Sequence, residues 1–136
     1  MEAKHIAYIG RCGVGKTIQL HRKFEEIQSL PEKYQLIFVP DQAHADYSLE
    51  GATKQIWPQD PQKLISKLIH IADTSINPVI MFIDALPEEA VLLSPLFNHP
   101  RVQVIMTTQY PNRIDEIQTE NPIKMEYPER NFFTVR

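Results

Sequence analysis

Glycine, cysteine, basic clusters and long apolar runs are all scarce in this chain of 136 residues. The longest uninterrupted apolar stretch, Val79 to Ile83, is far too short to span a bilayer, so no membrane segment is expected. Cys12 is the single cysteine and can form no internal disulfide, which argues against a disulfide-dependent secreted domain. No block of Lys and Arg occurs, and 14 Lys plus Arg against 17 Asp plus Glu leave a formal charge of −3. Charge alone therefore does not mark a nucleic-acid binder, although a small basic channel can exist on an acidic protein, particularly in an oligomeric ring. The N-terminal Met1-Glu2-Ala3-Lys4-His5 lacks the apolar core of a signal peptide, so a cytoplasmic protein is the expectation. The remaining composition, 43% hydrophobic and 23% charged, is that of one ordinary globular domain over residues 1–136.

Proline is the exception to this scarcity. Eleven are scattered along the chain and punctuate its elements without forming a linker. Ile6 to Ile9 reads as a strand ending at Gly10. Thr17 to Gln28 reads as a helix, because Leu20, Phe24 and Ile27 recur at helical spacing. Tyr34 to Val39 is a second strand. Residues 42–59 read as loop, with a short strand near Lys54 to Trp57. Asp60-Pro61 opens a helix as cap and first-turn proline, with Leu64, Ile65, Leu68, Ile69 and Ala72 on one face. Val79 to Ile83 and Arg101 to Met106 are further strands, separated by a helix from Pro87 to about Phe97. A helical turn or two at Arg113 to Gln118 precedes strands at Ile123 to Tyr127 and Phe132 to Val135. Such alternation predicts an α/β fold with a mostly parallel sheet covered on both faces. Ligands then bind outside the carboxyl ends of the strands, where Gly10, Asp41, Asp84 and Thr107 to Gln109 fall.

Three of the four glycines lie within eight residues. Gly10-Arg11-Cys12-Gly13-Val14-Gly15-Lys16-Thr17 satisfies the Walker A pattern G-x-x-x-x-G-K-[ST], between an apolar strand and an amphipathic helix. Its backbone amides can wrap a phosphate at a helix N-terminus. Lys16 would contact the β- and γ-phosphates, and the Thr17 hydroxyl would ligate Mg²⁺. Cys12 is read as filler at a variable motif position, with redox sensitivity as the alternative.

Val79 to Asp84 has the Walker B form, a buried strand delivering a carboxylate that holds Mg²⁺. Many hydrolytic P-loop ATPases place Glu directly after this Asp, where Ala85 stands here. Either Glu88 or Glu89 supplies the base, or hydrolysis is slow or absent. Gln109 ends the Thr107-Thr108-Gln109 segment as a γ-phosphate sensor or as a plain polar cap. The histidines lack metal-like spacing. Trp57, Tyr110 and Phe132-Phe133 are read chiefly as packing residues, with base stacking the alternative.

Together, the Walker A loop, Ile83-Asp84 and Val104-Ile105-Met106-Thr107-Thr108-Gln109-Tyr110-Pro111 resemble the FtsK/HerA superfamily of DNA-pumping ATPases. Softer matches are Val39-Pro40-Asp41 and Asn98-His99-Pro100-Arg101. The resemblance implies a three-layer α/β/α P-loop NTPase of RecA-like, additional-strand type. It also implies ATP and Mg²⁺ as ligands, a homo-oligomeric ring that is commonly a hexamer, and DNA translocation or packaging. Carried over by position, Gly15, Lys16 and Thr17 bind phosphate and metal, Asp84 binds metal, and Gln109 senses the γ-phosphate. An arginine finger is expected as well, with Arg101 and Arg113 as candidates. Two other readings stand beside the motor: an ATP-dependent switch or scaffold with weak turnover, motivated by Ala85, and a small nucleotide or metabolite kinase.

Overall fold

The computed structural model describes residues 4–11, 15–41 and 46–128. Six strands, β1 (His5–Ile9), β2 (Gln35–Val39), β3 (Thr53–Lys54), β4 (Val79–Ile83), β5 (Val102–Thr108) and β6 (Ile123–Glu126), form one sheet. Their order is β3-β2-β4-β5-β1-β6, and every neighbouring pair runs parallel. The expected strand at Phe132 to Val135 lies outside the described residues.

The four α-helices among the described residues are α1 (Lys16–Gln28), α2 (Pro61–Thr74), α3 (Ser94–Phe97) and α4 (Pro111–Glu116). β4 lies in the interior of the sheet and is buried along its whole length, which explains its unbroken apolar sequence. On one face Leu20, Phe24 and Ile27 of α1 pack against Tyr8, Phe38, Phe82 and Ile105. On the other, α2, α3 and α4 cover Ala7, Ile9, Ile37, Met81 and Val104. The division follows from connectivity. β1 leads through α1 toward β2 in one direction across the sheet, whereas β3 to β4, β4 to β5 and β5 to β6 run in the other. Parallel crossovers of one hand must then place α1 on the opposite face from its counterparts.

Proline chemistry decides two boundaries that differ from expectation. The helix expected from Pro87 to Phe97 is instead a 3₁₀ turn at Ala90–Leu93 followed by α3. Pro95 has no N–H to give to Val91, and the Ser94 hydroxyl donates to that carbonyl at 2.8 Å. α4 starts two residues earlier than expected because Pro111 occupies its first turn, where its missing donor costs nothing. α2 matches expectation: Asp60 caps it by accepting from the Gln62 amide at 3.1 Å.

The amino-end rim of the sheet is held by side chains bonded to main chain. His5 is fully buried, accepts from the Val104 amide through Nδ1 at 3.0 Å and donates through Nε2 to the Phe97 carbonyl at 2.9 Å. Burial lowers its pKa to about 4, against a weaker upward effect of the Phe97 bond, so the ring is neutral. Lys4 donates to the His99 carbonyl at 2.7 Å, and the His99 ring meets Asp73 at the same distance.

Candidate functional site

β5 separates β1 from β4 in the sheet, yet the loops at their carboxyl ends converge on one place. Gly10 leaves β1 with its amide donating to the Thr108 carbonyl at 3.2 Å. Gly15 then adopts φ +99°, a left-handed conformation that a side chain would oppose, and starts α1. Among the described residues, Gly15 at the N-cap makes no side-chain cap and no acidic residue occupies the first turn. The first amides of a helix have no partner within it and carry the positive end of its dipole, which suits an anion. Cys12, Gly13 and Val14, the middle of the expected phosphate loop, lie outside the described residues.

The Lys16 ammonium reaches back to the end of β1, donating to the carbonyls of Gly10 at 2.7 Å and Arg11 at 3.0 Å. Thr17, exposed in the first turn of α1, directs its hydroxyl at Asp84, with Oγ1 standing 3.4 Å from one carboxylate oxygen and 3.5 Å from the other. Asp84 is placed by the end of the β2–β4 ladder, where its amide donates to Val39 at 2.9 Å. The sheet thus brings Gly10, Arg11, Gly15, Lys16, Thr17 and Asp84 together around one mouth.

Two hard oxygen donors at this spacing fit Mg²⁺, which takes few protein ligands and fills the rest of its shell with water and phosphate oxygens. Among the described residues there is no group of three or more His, Cys, Asp and Glu of the kind that zinc would require.

The other expected site residues fall elsewhere. Gln109 is exposed in the bend after β5. Glu88 is exposed, and its carboxylate lies 3.9 Å from Arg113. Arg113 also donates to the Leu86 carbonyl at 2.7 Å and lies 4.4 Å from the Tyr110 ring centroid, tying α4 to the loop after β4. Arg101 stands just before β5, at the amino-end rim, and is not brought to Asp84. Its guanidinium donates to Ala72 and Ile76, both at 3.1 Å, closing the end of α2.

Sequence reasoning placed Thr107 at a strand end but gave it no role of its own. It is 1% exposed, and its one hydroxyl accepts from the Ala85 amide at 2.7 Å while donating to an Asp84 carboxylate oxygen at 2.9 Å. Its carbonyl accepts from Leu86 at 2.9 Å. Between these bonds Ala85 takes φ +68°, the only described non-glycine residue in the left-handed region. The available signal was register. Ile83 pairs with Met106, which sets Asp84 opposite Thr107.

Compared with known families and curated proteins, the chain matches no family model and no curated sequence. Among the described residues, no helix is long and apolar enough to cross a membrane.

Proposed function

We propose that this chain is an ATP-binding P-loop ATPase that uses Mg²⁺-ATP hydrolysis to move DNA, as in translocation or packaging. The observation that carries the nucleotide reading is the meeting of Thr17 and Asp84 beside Lys16 at the mouth of a glycine-bounded loop. Placement of β5 between β1 and β4 supports a RecA-like, additional-strand P-loop class, since that strand separates the loop strand from the carboxylate strand. In this reading the loop amides and Lys16 hold the phosphates, and Thr17 and Asp84 hold the cation. Bound Mg²⁺ supplies positive charge against the phosphate oxygens. Gln109 would face the γ-phosphate from the end of β5.

DNA and a homo-oligomeric ring rest on the resemblance of the strand-end segments to the FtsK/HerA superfamily, and a cytoplasmic setting on the composition. The two candidates for an arginine finger, Arg101 and Arg113, both bond carbonyls of their own chain. The deciding experiment is ATP hydrolysis with and without duplex and single-stranded DNA, read beside oligomeric mass. Hydrolysis that rises with DNA and vanishes in Lys16→Ala supports the motor. A monomer indifferent to DNA overturns it.

A specific observation favours a second reading, an ATP-dependent switch with weak turnover. Ala85 stands where a hydrolytic carboxylate is expected, and its amide is engaged by Thr107. ATP binding with negligible phosphate release, DNA present, would select the switch.

A further inference from the structure

A threonine hydroxyl at 1% exposure costs free energy unless its hydrogen bonds are made, and here both lead to the strand end that presents Asp84. Oδ1 of Asp84 is gripped by Thr107 at 2.9 Å, while Thr17 Oγ1 stands almost equidistant from Oδ1 and Oδ2. The carboxylate is thereby pinned on the β5 side with its oxygens presented to α1. The same hydroxyl holds the Ala85 amide, so the left-handed turn and the carboxylate orientation are secured by one atom. Asp84 on its own, at a strand end and half-buried, retains side-chain rotation that this contact removes.

We infer that Thr107 is a positioning residue, which fixes the Asp84 carboxylate opposite Thr17 so that the pair takes the divalent cation accompanying a bound nucleotide. The inference rests on the nucleotide reading above and adds to it a residue that touches neither phosphate nor metal. Partners that orient a metal-binding group typically change metal affinity by about 10–100-fold when removed.

The test is calorimetric titration of the full chain with ATP, once with Mg²⁺ and once with EDTA. In the unaltered protein Mg²⁺ tightens ATP binding. Thr107→Val keeps the shape and removes the hydroxyl; it is expected to reduce that Mg²⁺-dependent gain by about tenfold or more, with the EDTA affinity unchanged. Thr107→Ser restores the hydroxyl and is expected to restore the gain. Ala85→Gly combined with Thr107→Val relieves the left-handed turn without returning the bond to Asp84, and the gain is expected to stay low. Thr107→Val with an undiminished gain overturns the inference, as does recovery of the gain in the double variant, which would leave the turn as the only role of the hydroxyl. An unaltered protein that binds no ATP overturns the nucleotide reading itself, a result distinct from either.

Discussion

Thr17 and Asp84, 67 positions apart in the chain, meet with the threonine hydroxyl 3.4 and 3.5 Å from the two carboxylate oxygens. Asp84→Asn keeps an oxygen that can accept from Thr107, removes the negative charge and puts an NH2 donor in place of the second oxygen. ATP affinity in Mg²⁺ is expected to fall on the order of tenfold or more, the scale of a charge-assisted contact, while the affinity in EDTA holds or improves. Titration in the two buffers checks it, and equal losses in both would contradict a role toward the cation.

Ala85 bears a backbone conformation that costs an L-residue roughly 1–2 kcal/mol. Glycine avoids that cost but adds about 0.5–1 kcal/mol of unfolded-chain entropy. Ala85→Gly is therefore expected to stabilise the fold by about 0.5–1 kcal/mol, and Ala85→Val, with a branched side chain in the same conformation, to destabilise it. Denaturant midpoints decide the order. Ala85→Glu tests a different point: if the missing carboxylate limits turnover, phosphate release rises above that of the unaltered protein.

His5 makes stability depend on pH. Its folded pKa of about 4 lies below the ordinary value of 6.5, so between these values only the unfolded chain takes up the proton. Stability from this group is complete above about pH 6.5, declines as pH falls toward 4, and levels off below that. The full effect is about 3 kcal/mol. His5→Phe should abolish that part of the slope and cost about 2–4 kcal/mol at neutral pH, because the Phe97 carbonyl and Val104 amide lose their partner. Urea melts at several pH values measure both.

Arg101 closes α2 through two carbonyls at the rim opposite the candidate site. Arg101→Met is expected to lower stability by about 1–2 kcal/mol and to leave ATP affinity unchanged. If the variant keeps its stability but loses DNA-stimulated hydrolysis, the side chain acts on a neighbouring subunit instead.

The candidate site was legible where its chemistry is local. The eight residues from Gly10 to Thr17 carry their own spacing rule, and an apolar strand followed directly by Asp84 announces itself without reference to anything distant. The parallel sheet was legible for a similar reason, since strands and helices alternate and β4 has no polar face. What escaped depends on long-range register. Nothing near Thr107 in the chain says that it will sit opposite Asp84; that follows from how β4 aligns with β5. His5 looks like any histidine near a chain start until Phe97 and Val104 supply its bonds. Arg101 was read for its charge, but its neighbours are the carbonyls of Ala72, in the last turn of α2, and Ile76, just past the end of that helix.

The stitching of the amino-end rim gives the molecule a practical handle. Ile76, 94% exposed on the turn between α2 and β4, projects from the end of the sheet remote from Asp84. A dye, spin label or surface tether attached there would leave the opposite mouth facing bulk solvent, accessible even to a polymer much larger than the protein.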